Sequence, residues 1–285
     1  MKLVSFELDG RERVGSQIDG GIVDLQAAGV AGDVLELIAG GDAALEAAEA
    51  ATADGAHVLE LGGVKLLPPV SRPPKFICVA RNYAAHAAEA NKELLEFPNL
   101  FVRFANTLVA DGDTVLRPFV SDELDWEGEL AFVIGRGGRH IKADDAYDHV
   151  FGYSIFNDVT VRDYQFRVPQ FVAGKNFETS GPFGPTLVTR DEISDPHDLQ
   201  LEVTVNDEVV QSTSTGDMIF QIPFLVEHIS EFISLEPGDV IATGTPSGVG
   251  FVREPPRFLV PGDVMRVSIT GLGVLENPVD QEPAV

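Results

Sequence analysis

Residues 124–134 read Leu-Asp-Trp-Glu-Gly-Glu-Leu-Ala-Phe-Val-Ile, an apolar run that contains two glutamates. The run predicts a buried β-strand, and residues two apart on a strand point to the same face, so Glu127 and Glu129 should lie side by side. Two carboxylates held together away from bulk water repel, and one must take up a proton unless a cation lies between them. A divalent metal ion resolves this conflict, so the run predicts a metal site.

The chain has 285 residues, which allows one large domain or two smaller ones. Its 45 acidic residues against 20 basic ones give a formal net charge of −25. Nucleic acids and anionic membrane surfaces require basic patches, so this charge argues against both as partners. An anionic small-molecule substrate would meet a repulsive field, and its site therefore needs local cations.

The cysteine count and the hydropathy pattern bear on the compartment. Cys78 is the only cysteine, which excludes an internal disulfide and favours a reducing environment. The N-terminal segment shows no signal-peptide pattern, and no apolar stretch reaches the length of a membrane span. We expect a cytoplasmic protein with no membrane partner.

The order of apolar patterns predicts an α+β, predominantly β chain. A small N-terminal α/β domain is expected over residues 1–70, and a catalytic domain of many short strands over 71–285. In the first, strands are expected near residues 2–8 and 21–25, and helices near 31–39 and 42–52. A proline-rich segment, residues 68–74, separates the two parts. The clearest helix of the second part should cover about 223–233.

A third acidic residue, Asp158, ends another apolar run and completes a set of oxygen ligands with Glu127 and Glu129. No cysteine or histidine cluster accompanies the three, so a hard cation such as Mg²⁺ or Mn²⁺ is favoured over zinc. The alternative from the residues alone is that the glutamates lie on a solvated strand face and Asp158 caps the following helix.

Two further groups of residues suggest chemistry. His86 and Glu89 lie three apart in an Ala-rich, helix-forming stretch, so they share a face, and a Glu that orients a His forms a general base. Arg162, Gln165 and Lys175 could supply cations and donors for a carboxylate substrate. The alternatives are an ordinary surface pair and ordinary surface residues around a helix.

Taken together and in order, these motifs resemble those of the fumarylacetoacetate hydrolase family, in particular its bacterial acylpyruvate hydrolase and 2-hydroxyhepta-2,4-diene-1,7-dioate isomerase-like members. The matching stretches are residues 78–89, 124–135, 156–165, 174–185 and 235–250. The resemblance implies a mixed β-sandwich roll as catalytic domain and a homodimer. It also implies one Mg²⁺ or Mn²⁺ per subunit, held by Glu127, Glu129 and Asp158.

The resemblance extends to the roles of other residues. It implies that His86 and Glu89 form a catalytic dyad on a lid segment and that Lys175 is the active-site lysine. The expected substrate contacts are Arg162, Gln165 and Thr245, with Tyr164 as a weaker one. One departure from the family pattern is Ala80-Arg81, where relatives often have glycine followed by a variable residue.

The implied reaction is hydrolysis of the carbon–carbon bond of a 2,4-dioxo acid through a metal-stabilised enolate, with water activated by the dyad. Residues around 90–100, in particular 90–97, and the segment near 251–258 are expected to line the acyl pocket. The alternatives are decarboxylation of oxaloacetate, keto–enol or double-bond isomerisation of a related acid, an inactive metal-binding homologue, and an acidic surface protein that binds calcium at many weak sites.

Overall fold

The computed structural model describes residues 1–90 and 93–283, and the run 124–134 lies at the centre of its largest β-sheet. The fold is α+β and predominantly β, as predicted. The N-terminal elements are strands β1 (Lys2–Leu8), β2 (Arg11–Ile18) and β3 (Gly21–Asp24), helices α1 (Val34–Ala39) and α2 (Gly41–Asp54), and strands β4 (Val58–Glu60) and β5 (Lys65–Leu67).

The remainder of the chain is richer in strands. Its strands are β6 (Phe76–Ala80), β7 (Asn99–Val102), β8 (Leu108–Val109), β9 (Val115–Arg117), β10 (Leu124–Asp125), β11 (Gly128–Ile134), β12 (Val150–Asn157), β13 (Thr160–Val161), β14 (Gly181–Thr189), β15 (Gln200–Val205), β16 (Glu208–Ser214), β17 (Val240–Ala242), β18 (Val264–Ile269) and β19 (Gly273–Gln281). Its α-helices are α3 (Ala84–Glu89), α4 (Arg162–Gln165), α5 (Val172–Lys175) and α6 (Ile222–Phe232). Short 3₁₀ helices cover Leu61–Gly63, Ala105–Thr107, Ala143–His149, Arg190–Glu192, Thr215–Asp217 and Gly250–Val252. No helix in the described ranges is long and apolar enough to cross a membrane.

Two sheets form the core. The larger has the strand order β4-β3-β2-β1-β14-β12-β11-β17-β6-β7, and the smaller has the order β16-β15-β18-β19-β9. Because β1 pairs with β14, with Lys2 opposite Val188, the N-terminal strands extend the larger sheet. This sheet contains strands from both sides of residue 70. The division of the chain into two domains at that residue therefore stays a prediction.

Strand β11 is buried on both faces, which explains its continuous apolar sequence. Leu130, Phe132 and Ile134 pack in one core cluster together with residues of the smaller sheet. Ala131 and Val133 point the opposite way, into a second cluster that includes the N-terminal helices. The strand thus alternates between two cores, and Glu129, two residues before Ala131, shares the second face.

The run 124–134 is not one continuous strand, contrary to the prediction. Asp125 in β10 pairs with Thr160 of β13, whereas Gly128 in β11 pairs with Asn157 of β12. The Asp125 carboxylate accepts the backbone N–H of Trp126 at 2.8 Å, which takes that N–H out of the strand ladder. The chain passes from one sheet to the other at Trp126 and Glu127.

The sheet order explains why one edge of the larger sheet carries a site. Strand β11 is antiparallel to β12 and to β17, and β17 is parallel to β6. The start of β11 therefore lies beside the ends of the other three strands. The two glutamates therefore share this edge with the residues that follow those strands or end them. These residues are Asp158, 243–245 and 80–83.

Gly128 is required by the close approach of the two sheets. A Cβ atom at this position would overlap Val203 Cγ2 and lie 3.0 Å from Val267 Cγ1, both on buried side chains. We expect Gly128→Ala to lower the free energy of unfolding by about 1–3 kcal/mol, measured by urea denaturation. The control is Gly62→Ala, whose Cβ would meet nothing within 4 Å. Equal effects of the two substitutions would contradict the packing account.

Candidate active site

Three buried carboxylates form the centre of the site. Glu127, Glu129 and Asp158 each offer an oxygen atom, and these atoms lie within 4.8 Å of one another. Glu127 precedes β11, Glu129 belongs to it, and Asp158 follows β12. The N–H of Asp158 donates to the carbonyl of Glu127 at 2.8 Å, which fixes the two segments together. The predicted side-by-side arrangement of the glutamates is present even though the strand is interrupted.

Glu127 is held by two buried cations. Its Oε1 accepts from Arg162 Nη1 at 2.6 Å and its Oε2 from Lys175 Nζ at 2.8 Å. Burial acts to raise the pKa of Glu127, but attraction to Lys175, Arg162 and His86 outweighs burial and lowers the pKa to about 2. Glu127 is therefore ionised at neutral pH.

Asp158 is also held from two sides. Arg103 Nε donates to its Oδ1 at 2.6 Å, and Lys175 Nζ donates to its Oδ2 at 2.5 Å. Arg103 is buried, and its other nitrogens donate to Ser180 Oγ and to the carbonyl of Val159. The guanidinium thus fixes the orientation of the Asp158 carboxylate.

Glu129 differs from its two neighbours. It accepts the N–H of Gly244 at 2.8 Å, and it forms no salt bridge within residues 1–90 and 93–283. Burial, followed by the negative charges of Asp158 and Glu127, raises the pKa of Glu129 well above its usual range. A buried acidic set with one member lacking a cation fits a divalent metal ion, and its all-oxygen donors suit a hard cation.

Arg162 connects this centre to a neighbouring loop. Its Nε donates to Asp125 Oδ2 at 2.8 Å, and the Asp125 carboxylate also accepts the N–H groups of Gly250 and Phe251. Arg162 Nη2 is buried and has no hydrogen-bond partner among the described residues. Since Arg162 lines the cavity described below, this N–H group is available to a bound anion.

The His86–Glu89 pair forms as the spacing in the sequence predicts. Both residues lie on α3, and Nδ1 of His86 is 2.8 Å from Oε1 of Glu89. Oε2 of Glu89 accepts the N–H of Gly248 at 2.8 Å. The carboxylate therefore anchors α3 to the loop that contains Gly248 and fixes the imidazole ring, which leaves Nε2 for proton transfer.

A cavity of about 600 Å³ brings most of the predicted site residues together. The predicted residues that line it are His86, Glu127, Glu129, Asp158, Arg162, Gln165, Lys175 and Thr245. Glu89 contacts the cavity only through His86. The alternatives of a solvated strand face and of ordinary surface residues do not describe these side chains, which are buried.

Tyr164 lies elsewhere. Its ring packs edge-on against Phe177, with centroids 4.9 Å apart, and it borders a different cavity. Arg162 and Gln165 lie three apart on α4 and share a face, so Arg162 Nη1 donates to Gln165 Oε1 at 2.9 Å. Tyr164 is on another side of the same short helix, so its role as a substrate contact rests on the resemblance alone.

The segments expected to line an acyl pocket contribute unequally. Ala90 and Phe251 line the cavity, together with other aromatic side chains, Phe101, Phe166 and Phe171. Phe97 instead stacks on His228, with ring centroids 5.9 Å apart. Asn91 and Lys92 lie outside the described residues.

Several supporting residues were missed from the sequence. Arg103 lies in the apolar run 99–104, and a lone charge in such a run is a signal of a buried ion pair. Gln211 donates to Thr245 Oγ1 at 2.8 Å and accepts the N–H of Gly128 at 3.0 Å. It therefore joins the loop that contains Thr245 to β11. No local pattern marks Gln211, because its partners are far away in the sequence.

Comparison with known proteins identifies the family and several relatives of this chain. The family model "Fumarylacetoacetate (FAA) hydrolase C-terminal" matches residues 75–280. The chain is 42% identical to oxaloacetate tautomerase fahd2, mitochondrial, of Xenopus laevis, over 98% of this chain and 90% of that protein. It is 43% identical to oxaloacetate tautomerase YisK of Bacillus subtilis, over 98% of this chain and 100% of that protein.

Among solved structures, the chain is similar to maleylpyruvate hydrolase from Sphingobium sp. SYK-6 in complex with manganese(II) ion and pyruvate. The TM-score is 0.84 and the identity 33%, over 99% of this chain and 100% of that one. Buried carboxylates with hydrogen-bond donors around them can hold a divalent ion and stabilise negative charge that develops on a small oxo acid.

The unpaired state of Glu129 leads to a prediction. In EDTA, Glu129→Gln should unfold at a higher temperature than the unmodified protein, because the substitution removes a carboxyl group whose ionised form is disfavoured by burial and by the neighbouring carboxylates. With metal at 100 times its Kd, the unmodified protein should gain about 2.7 kcal/mol, and the variant much less. Differential scanning calorimetry with and without Mn²⁺ measures both effects.

The control is Glu49→Gln, which removes an exposed carboxylate on α2. It should change neither the unfolding temperature in EDTA nor the increment caused by metal. An equal metal increment for Glu129→Gln and the unmodified protein would contradict the ligand assignment.

Proposed function

The chain belongs to the fumarylacetoacetate hydrolase family, and on that premise we propose that it is a keto–enol tautomerase of a small 2-oxo dicarboxylic acid of the oxaloacetate class. The observation that carries this proposal is the similarity, at 42% and 43% identity over 98% of this chain, to two proteins named oxaloacetate tautomerase. The alternative of isomerisation is thereby favoured over the hydrolysis expected from the sequence.

The cofactor that we propose is one Mg²⁺ or Mn²⁺ per subunit, held by Glu127, Glu129 and Asp158. When bound, it would supply Lewis-acid polarisation of the 2-oxo group. Manganese is supported by its presence in the similar maleylpyruvate hydrolase structure. Both ions suit a set of carboxylate oxygens.

The protein side chains supply orientation and proton transfer. The free Nη2 of Arg162 would bind the carboxylate next to the 2-oxo group, with Gln165 and Thr245 beside it. His86 Nε2 would take the proton from C3 of the keto form, while Glu89 holds the ring and stabilises its positive charge. Lys175 Nζ would donate a proton to the 2-oxo oxygen. The carbon loses one proton and the oxygen gains one, which leaves His86 protonated and Lys175 neutral. Proton exchange with water would restore both side chains before the next conversion.

Hydrolysis of a 2,4-dioxo acid is the second candidate, and the cavity supports it. A volume of about 600 Å³ with a wall of aromatic side chains exceeds what a four-carbon acid fills. The same dyad could activate water for attack on a distal carbonyl. Decarboxylation of oxaloacetate would need the same polarisation of the 2-oxo group. An inactive homologue would keep the metal ligands but would not turn over any of these substrates.

We also propose a cytoplasmic homodimer. The dimer is supported by the family resemblance and by exposed aromatic side chains, Phe97, Phe224 and Phe232, which lie on α6 and before β7. The reducing compartment is supported by Cys78, which is free and buried. Light scattering at two protein concentrations measures the assembly.

The proposed reaction is tested by mixing the Mn²⁺-loaded protein with freshly prepared enol-oxaloacetate and following the loss of ultraviolet absorbance of the enol. We expect acceleration that EDTA abolishes. His86→Gln should lower kcat by about 10²–10⁴-fold, because the proton acceptor is lost. Glu49→Gln serves as the matched control and should leave the rate unchanged.

The same preparation is offered an acylpyruvate, and CO₂ release from oxaloacetate is measured in parallel. Cleavage of the acylpyruvate without acceleration of the enol would replace the tautomerase proposal with hydrolysis, and rapid CO₂ release would replace it with decarboxylation. Metal binding without turnover in any of the three assays would indicate an inactive homologue.

A further inference from the structure

The cations of the cavity differ in how completely their charge is neutralised. Arg162 and Lys175 are paired with buried carboxylates at 2.5–2.8 Å. Arg167 pairs with Asp163 at 3.1 Å and stacks on the ring of Tyr164. Arg81 also lines the cavity, and it forms no salt bridge within residues 1–90 and 93–283. In a protein of net charge −25, an unpaired guanidinium in the cavity points to an anionic ligand.

The side chain of Arg81 is not fully satisfied by the protein. Its Nε is buried and has no hydrogen-bond partner among the described residues. A buried donor without a partner costs about 1–3 kcal/mol, more if it is charged. A carboxylate that accepts from the guanidinium would remove this cost, and the planar group can bind a carboxylate through two parallel hydrogen bonds.

The backbone at Arg81 adopts a strained conformation that its neighbours hold in place. Its φ is 57°, a left-handed conformation that costs a non-glycine residue about 1–2 kcal/mol. The next residue, Asn82, fixes the segment: its Nδ2 donates to the carbonyls of Phe220 and Thr243, and its Oδ1 accepts the N–H of Phe220. Backbone strain that the surroundings impose is common at ligand sites. The strain, the unsatisfied donor and the position in the cavity all concern the same residue.

We propose that Arg81 binds the distal carboxylate of a dicarboxylic 2-oxo acid and so selects dianionic over monoanionic substrates. The inference rests on the proposed function for the 2-oxo-acid end of the substrate, which the carboxylate centre and Arg162 would hold. The second carboxylate would enter a strongly acidic protein, and Arg81 is the cavity cation whose charge no carboxylate of the described residues neutralises. The distal carboxylate would accept from Nε and from a terminal nitrogen of the guanidinium.

The test compares two ligands that differ only at the distal end: oxaloacetate and its 4-methyl ester. Calorimetric titration of the Mn²⁺-loaded protein gives the Kd of each, and the tautomerase assay gives kcat and KM. In Arg81→Asn, the Kd and KM for oxaloacetate should rise about 10–100-fold, as expected for a lost hydrogen bond to a charged group. The values for the ester and kcat for either ligand should stay within about twofold of the unmodified protein.

Two further variants distinguish the effect of the charge at Arg81 from the effect of cations at other positions. Arg81→Lys keeps the charge and should restore part of the preference for oxaloacetate, whereas Lys142→Gln removes a cation that does not line the cavity and should have no effect. Asparagine tolerates the left-handed conformation, so Arg81→Asn should keep the thermal stability of the unmodified protein. If Arg167→Gln instead of Arg81→Asn abolishes the preference, the inference is overturned.

The calorimetric readout separates this inference from the proposed function, because binding does not require turnover. Tighter binding of oxaloacetate than of the ester, lost in Arg81→Asn, supports the inference even in a protein without tautomerase activity. Equal weakening of both ligands in Arg81→Asn, or no weakening of either, overturns the inference and leaves the tautomerase proposal intact.

Discussion

Mutual repulsion of three buried carboxylates is the constraint on which the rest of the site depends. Glu127, Glu129 and Asp158 share a volume in which their oxygen atoms lie within 4.8 Å of one another. Lys175 bridges Glu127 and Asp158, and Arg162 and Arg103 each contact one of these two carboxylates. Among the described residues, Glu129 receives only the backbone N–H of Gly244. Because of this asymmetry, Glu129 is the carboxyl whose ionised form needs a further cation, such as a divalent ion, and the basic residues collected at this point of an acidic protein neutralise the other two.

The sheet topology makes the arrangement possible. The start of β11 lies beside the ends of β12, β17 and β6, so segments that are far apart in the sequence meet at one edge. Gly128 allows the smaller sheet to approach this edge, and Asn82 ties the end of β6 to the loop after β17. The cavity is therefore framed by strand ends, and α3 covers it through the contact of Glu89 with Gly248.

Much of the site could be predicted from local patterns, because its main residues obey short-range rules. The two-residue spacing of Glu127 and Glu129 and the three-residue spacing of His86 and Glu89 on a helix predict pairs that lie together in the structure, although Glu127 itself precedes β11. Other features depend on contacts across the fold. The interruption of the run at Trp126 follows from pairing of Asp125 with a different sheet, and the orientation of Asp158 depends on Arg103, 55 residues away. Tyr164 was predicted as a substrate contact only because it lies in a matching motif. In the structure its ring packs against Phe177, on another side of the short helix α4.

The anomalous difference density of a crystal soaked with Mn²⁺ shows whether the three carboxylates hold a metal ion. We expect a single strong peak within coordination distance of Glu127, Glu129 and Asp158, with the ammonium group of Lys175 no longer bridging two of these carboxylates. A crystal without a peak at this position, in which Lys175 still bridges Glu127 and Asp158, would contradict the assignment of a metal centre.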